Sequence, residues 1–204
     1  MSHLEKIMHD RHSVRIYDPS FKVDKAEIED LLQQAISAPS SSNLQPWRFL
    51  VIQDQDVKKE LREIANNQAQ VEDSSAVIAV LGDREMYKKV EQIYTQNVAE
   101  GYMDESSKDR MIASTTAAYP HAPVEVLRNI ASFDAGLVSM QFMLLAKDRG
   151  FDTVTMGGFD KVKFAKHFDL PDHIFPIVLI ALGKAAAPAY GSSRLPLDEI
   201  ATFL

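Results

Sequence analysis

The chain has 204 residues, 46% of them apolar and 25% charged, which is enough length for a substantial core and the composition of a globular protein. A formal net charge of −7 argues against a general nucleic-acid binder and against a protein held on anionic lipid. The absence of cysteine excludes disulfides, thiol catalysis and cysteine-ligated clusters, so any redox chemistry needs a cofactor to carry the electrons.

In chain order, the first expected helix covers Leu4 to Asp10. The segment Met1 to Arg11 is charged and lacks the apolar core of a secretory signal, which leads to the expectation of a cytoplasmic protein. A second helix starts at Asp24, with Glu27 completing a cap, and repeats Ile28, Leu31, Leu32, Ala35 and Ile36 at helical spacing. It stops before Pro39. Trp47 to Ile52 reads as a strand, Val57 to Ala65 as a short helix and Ser75 to Leu81 as a buried strand. Arg84 to Ala99 and Ser106 to Tyr119 read as polar-faced helices joined around Gly101. Asn129 to Arg149 is the strongest helix, with Phe133, Leu137, Met140, Met143, Leu144 and Leu145 covering more than one face, so it is expected to be central and largely buried. Gly150 suits a left-handed stop. Thr153 to Met156 is a short strand, Phe159 to Phe168 a short helix, and Ile174 to Leu182 a sheet-centre strand despite Pro176. That stretch is far too short to span a bilayer. The tail from Ala185 has little core of its own and reads as an arm reaching across something, such as a partner subunit. Strands and helices do not alternate as βαβ units, so the expected class is α+β, in one domain over 1–204 without linker or repeat.

Several segments suit ligand chemistry. In an acidic protein an anionic ligand must be met by a local cluster of positive charge. Arg11-His12-Ser13-Val14-Arg15 places two guanidinium groups and a hydroxyl on one side of an extended segment, as a phosphate or carboxylate receptor requires, although short basic runs are more often solvated loops. Pro39-Ser40-Ser41-Ser42-Asn43-Leu44-Gln45-Pro46-Trp47 offers donors and acceptors between two prolines, fit for the polar edge of a flat heterocycle or for a plain helix-to-strand turn. Gly157-Gly158 lets the backbone approach a ligand, although such pairs are more often turns. There is no G-x-G-x-x-G or P-loop, no nucleophile elbow, and no metal-ligand spacing among the six histidines. Glu27 and Asp30 read as solvated charges on a polar helix face, not as a catalytic pair.

Taken in order, Arg11 to Tyr17, Pro39 to Trp47, Met156-Gly157-Gly158-Phe159-Asp160 and Ser193-Arg194-Leu195-Pro196 resemble the nitroreductase family of FMN flavoproteins, in blocks that span almost the whole chain. The resemblance implies a mostly antiparallel sheet flanked by helices, in an intertwined homodimer with FMN at its interface and exchanged C-terminal arms over 185–204. It implies that Arg11, His12, Ser13, Arg15 and Arg194 meet the phosphate and the flavin edge, with Lys184 near the phosphate. Pro39, Ser40, Ser41, Ser42 and Asn43 would come from the other subunit, with Gln45 lining the same site. Asn67 and Gln70 match positions that touch the isoalloxazine, and Met156, Gly157 and Gly158 the place where an amide faces the flavin N5. Enteric-type members carry Glu at the match of Gly157 and Lys at the matches of Gln70 and Ser192, so there is less positive charge near the flavin here.

The activity so implied is ping-pong electron transfer from NAD(P)H to nitroaromatic, quinone or similar acceptors, without a catalytic side chain and with region 84–120 shaping the pocket. Tyr102, Met103 and Tyr119 suit its lining or ordinary packing. The rival readings are an FMN reductase releasing reduced flavin and a flavin-binding or sensing module without turnover.

Overall fold

The computed structural model describes residues 1–204. In chain order the elements are α1 (His3–Asp10), α2 (Lys25–Ala35), β1 (Trp47–Ile52), α3 (Gln55–Ile64), α4 (Ala69–Asp73), β2 (Ala76–Asp83), α5 (Val90–Ala99), α6 (Glu105–Ala118), α7 (Val124–Asp148), β3 (Asp152–Met156), α8 (Lys161–His167), β4 (Ile174–Gly183) and α9 (Leu197–Ile200). The four strands form one sheet in the order β1-β2-β4-β3, with every neighbouring pair antiparallel. The class is α+β, as expected.

The period of two along β2 builds the core. Ala76, Ile78 and Val80 face one layer with Ile28, Leu31, Val138 and Phe142 from α2 and α7. Val77, Ala79 and Leu81 face the other with Leu61, Val71, Phe164 and the N-terminal residues Val14 and Tyr17. All eight residues of β2 are therefore buried, which explains its unbroken apolar run. Pro176 is tolerated in the inner strand β4 because it pairs with Leu81 where the register shifts after Val80. A third cluster joins Leu44 to Met86, Val90, Tyr94 and Leu127, and anchors the helical lobe formed by α5 and α6.

Four expectations need correction. Asp24 does sit at the N-cap of α2, but its side chain makes no capping bond. Glu27 and Asp30 are not merely solvated: both grip Arg149, at 2.8 and 2.5 Å, and tie α2 to the end of α7. Helix α7 begins five residues before Asn129, because Pro123 pre-sets its entry ahead of Val124. It packs on α2 and all four strands, so its length and apolarity are those of a core helix. Yet Phe133 is 67% exposed and Met140 36%, and with Val126 they repeat at seven-residue intervals along a face that its own chain leaves uncovered. α4, unexpected from the sequence, follows the polar run Asn66-Asn67-Gln68, where no apolar period signals a helix.

Candidate functional site

The segment after α1 runs extended along the outer edge of β3. Ser13 forms a parallel bridge with Thr153, and the Val14 amide donates to the Thr153 carbonyl at 3.1 Å. Further on, the Asp18 amide donates to the Lys184 carbonyl and the Ala186 amide to the Ile16 carbonyl, both at 2.9 Å. Val14 and Tyr17 insert into the core and leave Arg11, Ser13 and Arg15 facing outward. Tyr17 passes directly over Gly183, where a Cβ would lie 2.8 Å from its ring; only glycine admits that approach.

Arg11, His12, Ser13 and Arg15 line a cavity of about 730 Å³, and the tail brings Arg194 to it beside Tyr190 and Ser192. No carboxylate lines this cavity. Arg15 bonds the Ser13 carbonyl, Arg194 bonds the Ser192 hydroxyl and the carbonyls of Ser192 and Ser193, and the Arg11 Nε is buried without a partner. The Arg84 Nε is likewise orphaned, but that guanidinium is engaged with the Asp172 carbonyl. Three guanidinium groups lining one cavity without counter-charge leave an electrostatic imbalance that a multiply charged oxyanion would offset. Lys184 is not among the lining residues; its ammonium donates to the Gly150 carbonyl at 2.6 Å, at the C-terminal end of α7.

A second group lies farther along the same sheet edge. Asn66 and Gln68 side-chain amides donate to the Gly158 carbonyl at 2.8 and 3.0 Å, and Gln70 donates to Gln68 at 3.1 Å. The turn between α3 and α4, with Asn66 and Asn67 both at φ 55, is thereby stitched to the glycine pair that follows β3. Met156 and Gln70 are buried, whereas Asn67, Gly157 and Gly158 are exposed. The amides of both glycines bond no backbone carbonyl, and a Cβ on Gly157 would meet nothing within 4 Å. From Thr153, beside Ser13, to Gly157 the strand advances roughly 13 Å. A ligand with a phosphate at one end and a flat polar ring at the other fits that span. Asn66 and Gln68 escaped the sequence reading; consecutive asparagines before a short helix, able to take left-handed backbone, were the available signal.

The third group lies at the opposite edge. Pro39 to Pro46 lead into β1, three strand spacings from β3, or roughly 14 Å across the sheet. The Ser41 amide and hydroxyl donate to the two carboxylate oxygens of Asp134 at 3.0 and 3.1 Å, the Gln45 amide donates to the Ser40 hydroxyl at 3.1 Å, and the Tyr94 hydroxyl donates to the Ser42 carbonyl at 2.8 Å. No hydrogen bond joins Pro39, Ser40, Ser41, Ser42, Asn43 or Gln45 to the arginine cavity or the glycine turn. The chain thus carries polar groups on opposite edges of one sheet.

The sequence profile described as the nitroreductase family matches residues 8–184. The chain belongs to the nitroreductase family. Relatives within it include YdgI of Bacillus subtilis strain 168, a protein named as a candidate NAD(P)H nitroreductase, 46% identical over 96% of this chain and 95% of that one. A candidate nitroreductase from Exiguobacterium sibiricum 255-15, solved in complex with FMN, is 40% identical with a TM-score of 0.95, covering 100% of this chain and 98% of the other. A candidate NAD(P)H:FMN oxidoreductase from Staphylococcus epidermidis is 35% identical with a TM-score of 0.96, covering 100% and 97%. This nitroreductase-family chain therefore shares the fold of an FMN complex along its whole length, and both the arginine and the glycine group on the β3 edge lie within the matched residues apart from the tail that carries Arg194.

Proposed function

We propose that this protein is an FMN-dependent oxidoreductase that takes electrons from NAD(P)H and passes them to a nitroaromatic, quinone or similar acceptor. The observation that carries this reading is the carboxylate-free arginine cavity with its unpartnered Arg11 Nε, in a chain whose net charge is −7. Bound FMN supplies the two-electron carrier between nicotinamide and acceptor. Arg11, Ser13, Arg15 and Arg194 hold its phosphate; Asn67 and Gln70 address the polar edge of the ring; the Gly157 and Gly158 amides face it from the end of β3. Gly157, lacking a side chain, leaves one ring face open for stacking. Donor and acceptor use that face in turn, which makes the kinetics ping-pong; hydride transfer itself requires no acid or base from the protein, and the protons that complete reduction of the acceptor come from solvent.

The polar group at the β1 edge supports a homodimer, as a second half-site. A two-fold partner brings its own Ser40 to Gln45 segment against the first protomer's β3 edge, and the uncovered α7 face with Val126, Phe133 and Met140 supplies the apolar contact. The exposed tail over 185–204, with Leu195, Leu197, Ile200 and Phe203 all open, is the arm that wraps the partner. The lobe over 84–120 shapes the acceptor side, and the whole of 1–204 acts as one domain in the cytoplasm.

An absorbance spectrum of the purified protein tests the proposal. Yellow flavin bands that bleach anaerobically with NADH or NADPH support it; a protein that stays colourless after incubation with FMN overturns it, and bands that neither nucleotide bleaches reduce the protein to a flavin-binding module. A second reading, in which free FMN is the acceptor, draws on the name of the Staphylococcus epidermidis neighbour. Faster NAD(P)H oxidation with added free FMN than with a nitroaromatic would select it.

A further inference from the structure

The segment from Ser40 to Gln45 is held in a conformation its residues do not favour. Ser42, Asn43 and Gln45 have φ of 50, 51 and 48°, and of these only asparagine visits the left-handed region with ease. Such backbone persists where its surroundings over-determine it. Three elements do so here. From α7, Asp134 (1% exposed) accepts both the amide and the hydroxyl of Ser41. From α5, Tyr94 (2% exposed) donates to the Ser42 carbonyl. Between them Leu44, buried in the helical lobe's cluster, pins the turn, while Tyr119 meets the Ser42 hydroxyl at 3.3 Å.

Asp134 is an expensive residue to keep at this place. It is an acid in the apolar core helix, burial pushes its carboxyl above the usual range, and no cation pairs with it; its bonds run to Ser41 alone. A group so placed, with no contact to the arginine cavity, is spent on shaping the loop.

We propose that Asp134 and Tyr94 are positioning residues that lock the Ser40 to Gln45 segment in its strained form before the ligand arrives, so that binding need not order it. The consequence for FMN rests on the function proposed above; the lock itself does not. Preorganisation of this kind raises affinity by removing the ordering cost from the binding step. Because Tyr94 belongs to the helical lobe, the lock also ties the acceptor side of the site to the flavin side.

Amide hydrogen exchange on the apoprotein, together with FMN titration, decides the matter. In Asp134→Ala the amides of residues 41–45 are expected to exchange at least tenfold faster while those of β2 and β4 are unchanged, and the FMN Kd to rise about tenfold. Asp134→Asn keeps both bonds to Ser41, one with reversed polarity, and should restore protection to within threefold of wild type. Ser41→Ala, which leaves α7 untouched, should reproduce part of the loss if Asp134→Ala fails to fold, and Tyr94→Phe should loosen residues 42–44. Exchange within twofold of wild type in Asp134→Ala, or in Ser41→Ala where the former does not fold, would overturn the proposal, as would Asn proving as damaging as Ala. Failure of the wild type to bind FMN would remove the proposed function, while the exchange rates would still decide the lock.

Discussion

Replacing Arg11 by Ala should weaken FMN binding selectively, through the phosphate. The cavity holds Arg11, Arg15 and Arg194 without a carboxylate, and no hydrogen bond within the chain engages the Arg11 guanidinium, so its bond to an oxyanion competes with nothing inside the chain. A hydrogen bond to a charged group contributes about 1.5–3 kcal/mol, and at about 1.4 kcal/mol per tenfold the FMN Kd should rise about 10- to 150-fold. Riboflavin, which has the ring and ribityl chain but no phosphate, should bind the variant within about threefold of wild type. The apoprotein should lose no stability, because removing one of three converging like charges relieves repulsion. Titration by quenching of flavin fluorescence, run with both ligands at fixed ionic strength, reads these numbers. Equal weakening of FMN and riboflavin would refute the reasoning, since Arg11 would then shape the site without engaging phosphate. An unchanged FMN Kd would refute it outright.

Four further outcomes are expected. Phe133→Asp puts a charge on the uncovered α7 face and should shift sedimentation from dimer to monomer with parallel loss of bound flavin; a flavin-loaded monomer would break the link between the half-sites. Gly183→Ala places a Cβ 2.8 Å from the Tyr17 ring and 3.2 Å from the Ser75 amide nitrogen, so it should cost about 1–3 kcal/mol of stability; an unchanged melting temperature would show that the N-terminal segment can move aside. Lys58 is fully buried, its ammonium donating to the Glu72 and Ser74 carbonyls; burial, then Lys22, lowers its pKa from 10.5 to about 8 against the opposing pull of Asp73, Glu72 and Asp54. The folded state thus binds fewer protons than the unfolded one between those values, so wild type should gain about 3 kcal/mol over Lys58→Met as pH rises from about 8 to 10.5, and parallel urea-unfolding curves would refute this. Gln70→Lys adds positive charge beside the proposed ring site and should raise the flavin midpoint potential, by about 30 mV for each tenfold gain in preference for the two-electron reduced form; a potential equal to or below wild type in a redox titration would count against Gln70 facing the flavin.

What could be read from the sequence follows from where periodicity has a single cause. Trp47 to Ile52 was bounded correctly, because its alternate residues face the two core layers, and α2 was recognised from Ile28, Leu31 and Ala35, because all three face one core layer of the same chain. Phe133 and Met140 misled for the opposite reason. Apolar residues at helical spacing need not all face the core of their own chain. Asp134 and Tyr94 gave no usable signal: one acid in an apolar helix and one tyrosine in a polar helix become informative only when Ser41 and Ser42 are seen against them. The positive φ of Ser42 and Gln45 was equally hidden, since neither residue type announces it.

The scatter of the proposed ligand-binding blocks along the chain has a physical origin in the sheet order. With β1 and β3 as the two outer strands, the segment ahead of β1 and the residues beside and after β3 lie at opposite edges of the sheet, and no hydrogen bond joins them within a protomer. In the proposed homodimer they would close between protomers related by a two-fold axis, and each such interface would make two equal sites. That arrangement sets different demands on the two halves. The β3 edge can be adaptable, because Arg11, Arg15 and Arg194 contribute charge whose reach tolerates small displacements. In the proposed dimer the β1 edge would present short side chains, Ser40, Ser41, Ser42 and Asn43, across the interface, and short side chains cannot search for their targets. A loop that has to be right before contact needs fixing from behind, and the bonds from Asp134 and Tyr94 to Ser41 and Ser42 are placed to do that. Dimerisation and loop strain are on this view two parts of one solution to building a cofactor site across a sheet from its opposite edges.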